Sequence, residues 1–298
     1  MMTDPVRLFR DELAATFGPL DWLPEPDGQI HRFHVPGDRT GSRNGWYVLH
    51  LDGIASGAFG SWKAGSSRPW SSREPADYRE AEQLRQRIEQ ARQQREAERQ
   101  RQQQAAAERA ERLWRGAGSA APDHPYLIAK GVKAHGLRQR GDELLVPLIH
   151  AGRVMNLQRI AQDGAKRFLF GGRVAGCYSP IGTIEPGGLL YVCEGWATGA
   201  TIREHTGAAV ACAMNAGNLL DAGRQLRRRY PNAQLVFAGD DDRQTAAEGK
   251  GNPGRTAANA AAVAVGGRVV FPEWPAETPL SLSDFNDLAT WRASHAPA

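Results

Sequence analysis

The feature that most constrains the fold is an alternation of short apolar runs with helix-length segments in the last third of the chain. Apolar runs at 189–193, 208–212, 234–238 and 268–271 are separated by segments rich in Ala, Arg and Leu. Strands that alternate with helices of roughly 10–15 residues are typical of βαβ units, which build a mostly parallel sheet. The predicted fold class is therefore α/β.

Acidic residues follow two of these runs at the point where each strand is predicted to end. Glu194 follows the run at 189–193, and Asp240, Asp241 and Asp242 follow the run at 234–238. Ligands of open α/β sheets bind at the carboxyl ends of strands, and Mg²⁺ prefers carboxylate oxygens. We expect Asp240 and Asp242 to share a direction, while Asp241 turns away and matters least. Turn or helix N-cap roles are the structural alternative for these acids.

Composition bounds the size and the setting of the protein. The 298 residues suffice for two domains, and 37 Lys and Arg against 33 Asp and Glu, with a pI near 9.1, mildly favour a polyanionic partner. The three cysteines have no paired spacing, which argues against a zinc ribbon or a disulfide framework. Without a signal-peptide pattern or an apolar run of about 18 residues, we expect a cytoplasmic protein that does not engage a membrane.

Shifts in composition divide the chain into four predicted parts. Residues 1–72 are aromatic and rich in turn signals, which predicts a small β-rich module. Residues 73–116 are rich in Ala, Arg, Gln and Glu, which predicts a charged helical linker that is solvated along its length. Residues 117–186 mix short strands with turns, and residues 187–298 carry the alternation described above.

The segments that carry the acids resemble the Toprim domain, which topoisomerases and bacterial-type primases share. The resemblance rests on three segments in this order: Val192–Thr198, Ala238–Asp242 and Asp284–Asp287. It is closer to the primases of phages and plasmids, because residues 156–160 and 163–172 are similar to the part of the primase core that precedes the Toprim half. The resemblance implies a Toprim-like, mostly parallel sheet with flanking helices, preceded by a mixed α+β half of the primase catalytic core.

This resemblance also implies roles for individual residues. The catalytic residues would be Glu194, Asp240 and Asp242. The ligands of Mg²⁺, with Mn²⁺ as an alternative ion, would be Glu194, Asp240, Asp242, Asp284 and Asp287. Cations are needed beside such a site to hold a template backbone and a triphosphate. The candidates are Arg159, Lys166 and Arg167 upstream of the acids and Lys250 and Arg255 in a Gly-rich segment that opens a helix.

The amino-terminal module is similar at residues 27–33 and 57–63 to the leading region of such primases, where a zinc-binding domain often recognises the template. No cysteine precedes Cys177, so we expect no zinc, and we assign His31, His34 and His50 to turns or to the core. Contact with DNA would then depend on stacking and on charge. The candidates are Trp46, Trp62, Lys63 and Arg68. A small β core filled by these aromatic residues is the alternative.

The predicted activity is that of a DNA primase, a DNA-directed RNA polymerase that joins ribonucleotides on single-stranded DNA by Mg²⁺-dependent nucleotidyl transfer. The predicted setting is the replication of a phage, a plasmid or another mobile element. The partners would be single-stranded DNA, ribonucleoside triphosphates and a separate replicative helicase, since no GxxxxGK[ST] motif for a fused one is present. Two alternatives stay open: a Toprim nuclease or nicking enzyme, and a non-catalytic DNA-binding Toprim protein.

Overall fold

The computed structural model describes residues 4–295, and contacts between residues divide the chain into two compact units. The first unit runs to Arg101 and the second begins at Gln102.

The first unit is a four-stranded antiparallel sheet in the order β1-β2-β3-β4, with helices on both faces. Its elements are α1 (Pro5–Phe17), β1 (His31–Phe33), β2 (Gly45–His50), β3 (Ser56–Ser61), β4 (Ser66–Ser71) and the first part of α2 (Tyr78–Arg115). Tyr47 and Leu49 of β2 pack against α1, while Trp46 and Val48 pack against Ala91 of α2. Because both faces of β2 are covered, its sequence is almost continuously apolar.

Helix α1 was not expected from the sequence, although its start signal is present. The Asp4 carboxylate accepts a hydrogen bond from Val6 N at 3.0 Å, and Pro5 occupies the first turn. An N-cap aspartate followed by proline is a recognised beginning of a helix.

The long charged helix is present as α2, with 38 residues and hence a length of about 57 Å. The prediction that this helix is solvated along its length is wrong. Ala91 is buried in the first unit, and Ala110 is buried in the second unit against Leu145 and Leu157. Alanine side chains are short, so the helix approaches each sheet closely at these points. No helix within residues 4–295 combines the length and the apolar character needed to cross a membrane.

The second unit contains two five-stranded sheets. The antiparallel sheet follows the chain order β5-β6-β7-β8-β9 and comes with one short helix. These elements are β5 (Gly118–Ser119), α3 (Pro125–Lys130), β6 (Arg138–Arg140), β7 (Glu143–His150), β8 (Arg153–Ile160) and β9 (Lys166–Phe168).

The other sheet has the strand order β10-β12-β11-β13-β14, and all of its neighbouring pairs are parallel except β10 with β12. Its elements are β10 (Ser179–Ile181), β11 (Leu189–Cys193), α4 (Trp196–Thr206), β12 (Ala209–Cys212), the 3₁₀ turn Ala216–Asn218, α5 (Leu219–Arg229), β13 (Gln234–Ala238), α6 (Arg243–Ala247), α7 (Pro253–Val265), β14 (Arg268–Val270) and α8 (Phe285–Ser294). The predicted fold class, a mostly parallel sheet with flanking helices after a mixed α+β half, is confirmed. Helix α8 was not expected.

The two sheets of the second unit share one core. Leu144, Val146 and Leu148 of β7 pack with Trp196 of α4 and Cys193 of β11. The alternate residues of β7 and β8, such as Leu145 and Leu157, pack against the carboxyl-terminal part of α2. Successive strand residues point to opposite faces, so the antiparallel sheet lies between α2 and the parallel sheet.

Candidate active site

Two adjacent parallel strands and the start of one helix bring the predicted acids to a single edge. Strands β11 and β13 pair in register, with Cys193 opposite Ala238, so Glu194 and Asp240 follow them at the same end of the sheet. Asp284 is the N-cap of α8, and its charge acts on both acids. We call Glu194, Asp240, Asp242 and Asp284 the acid edge.

Mutual repulsion and burial perturb the carboxyl groups of the acid edge. Burial and, after it, the charges of Glu194, Asp284 and Asp242 together raise the pKa of Asp240 to about 8. The pKa of Glu194 is raised to about 7, first by burial and then by Asp242, although the Ala216 N–H favours the charged form. Carboxylates held together in this way favour the binding of a positive charge.

Unpartnered oxygens show where such a charge fits. Glu194 Oε1 and Asp240 Oδ1 are buried and have no hydrogen-bond partner. Buried polar atoms are normally paired, so these two are suited to a ligand. The acid edge does not form a compact cage, because the one set of three His, Cys or acid ligand atoms within 4.8 Å of one another in residues 4–295 is that of Glu25, Asp27 and His31. An open arrangement suits Mg²⁺, which usually keeps waters and binds one or two carboxylates together with substrate phosphates.

Asp241, between the two acids of the edge, is part of a different network. It is 4% exposed, and Arg255 grips its carboxylate through Nε at 2.6 Å and through Nη2 at 3.0 Å. Asn252 Nδ2 and Trp274 Nε1 also donate to it, at 2.8 and 3.2 Å. The hydrogen bond from Arg255 holds the pKa of Asp241 below its usual range. Asp241 thus points away from the acid edge, and the guanidinium of Arg255, a predicted substrate ligand, is bound to it.

Asn252 fixes the turn that carries the three aspartates, a role that the sequence analysis missed. Its Oδ1 accepts from the backbone N–H of Asp242 and of Arg255, each at 3.1 Å. Asp242 in turn accepts from Gly254 N at 2.8 Å, so its carboxylate lies at the start of α7. An asparagine directly before Pro253 is an N-cap signal, and this signal could have located the contact.

Asp284 and Asp287 secure the start of α8 as well as facing the acids. Asp284 Oδ1 accepts from Asp287 N at 2.8 Å, and its Oδ2 accepts from Thr198 Oγ1 at 2.9 Å. Asp287 lies 3.7 Å from Lys130 Nζ and accepts from Ser283 N at 3.1 Å. Asp287 is thus also tied to the helix end, and helix α3, which supplies Lys130, borders the site.

Strand register separates the three upstream basic candidates. Lys166 pairs with Ile160, whose side chain belongs to the core shared with the parallel sheet, whereas Arg159 pairs with Arg167 and with Leu145 on the face toward α2. Arg159 also makes an ion pair with Glu143 at 3.3 Å. Of the three, Lys166 therefore lies on the face of the acid edge.

Electrostatics support this position of Lys166. Desolvation and then Lys130 lower its pKa, while Asp284, Asp240 and Asp287 act in the opposite direction. Its ammonium lies 5.6 Å from the centre of the Tyr126 ring. The Lys166 side chain is exposed to solvent, so the neighbouring groups lie close to it without enclosing it. The sequence analysis singled out neither Tyr126 nor Lys130.

The remaining candidates for substrate or DNA binding are engaged in ion pairs or in aromatic packing. Lys250 pairs with Glu248 at 2.8 Å. In the first unit, Lys63 pairs with Asp38 at 2.5 Å, and Trp62 is half-buried beside Trp46 with the Arg32 guanidinium 5.9 Å from its ring. Trp46 is buried, which favours the core-filling alternative for that residue.

Comparison with known proteins agrees with this architecture. Residues 189–294 match the family model of the Toprim domain. The chain is 35% identical over 259 residues to a DNA primase TraC of Escherichia coli, covering 84% of this chain and 24% of that protein. A second Escherichia coli DNA primase TraC is 35% identical over 266 residues, or 85% of this chain and 18% of that protein. The chain thus spans about a quarter or less of the length of these relatives.

Among solved structures, the zinc-binding and RNA polymerase domains of the Aquifex aeolicus primase align with 98% of this chain and 85% of that one, at 13% identity and a TM-score of 0.39. This similarity is too distant to support a conclusion about the chain. By the family match, residues 189–294 are a Toprim domain, and the four residues of the acid edge lie within it. Most of the chain is related to DNA primase TraC, which confirms the resemblance to Toprim-containing primases.

Proposed function

We propose that this chain is the catalytic part of a DNA primase that synthesises short RNA primers on single-stranded DNA, in the cytoplasm, during replication of a mobile element. The similarity to DNA primase TraC supports this activity. The proposal keeps the four-part division of the chain, with residues 117–186 and 187–298 as the two halves of the catalytic core.

The observation that carries the proposal is the approach of Lys166 to the acid edge. The acids alone suit any metal-assisted phosphoryl chemistry. Lys166 comes from the half of the core that precedes the Toprim domain, and its charge is coupled to Asp240 and Asp284. A cation near these carboxylates is suited to bind the phosphates of a nucleoside triphosphate. A metal ion held by the acid edge would bind the remaining phosphate charges.

The residues present fit a divalent cation, given the unpartnered oxygens of Glu194 and Asp240. Asp240, Asp242 and Asp284 would hold it, with Glu194 and Asp287 as further candidate ligands. Mg²⁺, or Mn²⁺ in its place, supplies positive charge to the phosphates when bound. No zinc is part of the proposal.

Glu194 is suited to move the proton in this reaction. The 3′ hydroxyl of the primer attacks the α-phosphorus of the incoming nucleotide, the bond between the α-phosphorus and its bridging oxygen breaks, and pyrophosphate leaves. The hydroxyl proton passes to Glu194 Oε1, which is buried without a partner. A base with a pKa near 7 works close to neutral pH.

The test is primer synthesis by the purified chain, with single-stranded DNA, labelled ribonucleotides and Mg²⁺. We expect short RNA products from the unaltered protein and a loss of on the order of 10²–10³-fold for Glu194→Gln, because a positioned proton acceptor and a cation ligand are removed together. Asp221→Asn, which removes an exposed acid on α5, should retain activity.

A second pair of variants tests the position of Lys166. Lys166→Ala should lower synthesis roughly 10–100-fold, since one charge-assisted contact to phosphate is lost. Arg159→Ala removes a cation on the opposite face of the same sheet and should cost far less. If both variants lost activity equally, strand register would not distinguish the role of Lys166 from that of Arg159.

The same assay separates the alternatives. DNA nicked without nucleotide incorporation would favour a Toprim nuclease, and DNA binding without either reaction would favour a non-catalytic Toprim protein. We also propose that a separate replicative helicase is a partner of this primase.

A further inference from the structure

Four arginines surround His150 on the second unit without acidic counterparts. Arg153 begins β8, Arg173 lies in the loop before β10, and Arg228 and Arg229 end α5. None of the four pairs with a carboxylate within residues 4–295, whereas Arg224 on the same helix does. We call Arg153, Arg173, Arg228 and Arg229 the arginine patch.

Short contacts bring these residues together. A Cβ added at Gly176 would lie 3.5 Å from His150 and 3.6 Å from Arg173, and one added at Gly152 would lie 3.6 Å from Arg229. The pKa of His150 is lowered by burial and then by the charges of Arg173 and Arg228. Residues from three separate segments therefore concentrate positive charge in one place.

The patch is partly pre-organised for an anion. Arg229 Nε donates to the Tyr230 hydroxyl at 3.1 Å, and its guanidinium lies 5.6 Å from the centre of that ring. Arg173 Nε donates to Ala175 O at 2.8 Å. In both residues the Nε atom is engaged by the protein, which leaves the terminal nitrogens to bind phosphate. Arg153, Arg228 and Arg229 are exposed.

One turn connects the patch to the acid edge. Met214 N donates to Glu194 O at 2.7 Å at the start of this turn. Asn218 at its end accepts from Gly176 N at 2.7 Å and donates to Cys177 O at 2.8 Å, in the loop that carries Arg173. The turn at 214–218 is thus bordered by Glu194 on one side and by the arginine patch on the other.

We propose that the arginine patch binds the phosphodiester backbone of single-stranded DNA where the strand passes the turn at 214–218. An array of guanidinium groups without carboxylate partners suits a polyanion that is held by charge and not by sequence. The choice of template DNA as the occupant depends on the proposed function. The binding itself needs neither nucleotides nor turnover.

The test measures binding of a fluorescein-labelled single-stranded oligodeoxynucleotide by anisotropy over a range of NaCl concentrations, without nucleotides. Each phosphate contact to a single strand contributes about 0.7 to the slope of log affinity against log salt. Arg153→Ala/Arg228→Ala should therefore lower the slope by about 1.4, which is a roughly 25-fold loss of affinity at 0.1 M salt relative to 1 M. Arg153→Lys/Arg228→Lys keeps the charge and should retain most of the slope, which separates loss of contact from misfolding.

The matched control is Arg92→Ala/Arg99→Ala, which changes net charge equally but removes residues that pair with Glu89 and Glu96 on α2. This control should leave the slope unchanged. An equal loss in both double alanine variants, or an unchanged slope in the patch variant, would overturn the proposal.

Two further outcomes address the occupant and the underlying function. If RNA of the same sequence binds more tightly than DNA and loses more affinity in the patch variant, the occupant is not the template and the assignment fails. If the patch variant loses DNA binding while the unaltered protein makes no RNA, the patch is supported and the primase activity is not.

Discussion

Asp240 and Asp241 are neighbours in the chain, yet they belong to opposite electrostatic regions. The pKa of Asp240 is raised to about 8 by burial and by nearby carboxylates, and its Oδ1 has no hydrogen-bond partner. The pKa of Asp241 is lowered by Arg255, and both of its oxygens are bonded. Burial and repulsion disfavour the charged form of the first carboxyl group, a cost that a bound cation can relieve, while the second contributes to folding. Proteins accept such a local cost where a site must bind charge.

The difference arises from where the chain turns after β13. Asp241 N donates to Ser283 O at 2.7 Å, and Asn252 holds both Asp241 and Asp242 from the start of α7. These contacts fix Asp241 on the side of Arg255 and leave Asp240 facing Glu194. The pairing of Asp241 thus positions Asp240 beside it.

The largest expected effect that separates Asp240 from Asp241 is on catalysis. Asp240→Asn should lower primer synthesis on the order of 10²–10³-fold, since a cation ligand is lost, without lowering the free energy of unfolding. Asp241→Asn should do the reverse, with lower stability and a smaller loss of activity per folded molecule. Primer assays combined with urea denaturation of both variants measure this. If Asp241→Asn were the more damaging variant for catalysis at full stability, the two roles would be exchanged.

A smaller effect is expected from breaking the ion pair between Arg255 and Asp241, which contributes to folding. Arg255→Ala leaves the carboxylate of Asp241 buried with only Asn252 and Trp274 as donors, which should lower the free energy of unfolding by about 2 kcal/mol. This value allows for the 45% exposure of the Arg255 side chain. Arg224→Ala, an exposed arginine at 3.9 Å from Asp221, is the control and should cost little. A stable Arg255→Ala protein with weak nucleotide binding would return Arg255 to the substrate-binding candidates.

The smallest effect, expressed per pH unit, is the dependence of stability on pH. Because the pKa values of Glu194 and Asp240 are raised to about 7 and about 8 in the folded state, the folded protein binds more protons than the unfolded chain above pH 4, and stability should fall as pH rises toward 8. Asp241 has a lowered pKa and acts in the opposite direction, with stability lost as the pH falls below its ordinary value.

Thermal denaturation in EDTA should show a loss of on the order of 1 kcal/mol per pH unit between pH 5 and pH 8 that Asp240→Asn reduces. Added Mg²⁺ should restore stability at the higher pH by binding the folded state. A stability that is flat with pH in EDTA and unaffected by the asparagine variant would mean that the acid edge is not strained.

Local patterns predicted much of this fold. The run Gln234–Ala238 is the strand β13 as predicted, and helices α4 and α7 occupy helix-length segments predicted between the apolar runs. Helix α8 escaped prediction because its apolar residues show little periodicity on one face. The prediction that α2 is solvated along its length was wrong, because the side chains it buries include alanines such as Ala91 and Ala110, which do not stand out in an alanine-rich sequence.

The candidate site was predictable only in part. The sequence placed Glu194 and the three aspartates at strand ends, and parallel strands that pair as neighbours bring their ends together. It did not distinguish Lys166 from Arg159 and Arg167, because that distinction depends on the register of β8 and β9. It also offered no signal that Arg255, 14 residues from Asp241, would bind it.

The sequence by itself determined the order of strands and helices, the acids at the strand ends and the similarity to Toprim-containing primases, because these follow from periodicity and from motifs within short segments. The tertiary structure alone decided which aspartate is paired and which is exposed to like charges, which lysine faces the acids, and that four arginines from distant segments meet around His150. Pairing, repulsion and burial depend on distances between atoms far apart in the chain, and these distances exist only once the sheets and helices have packed.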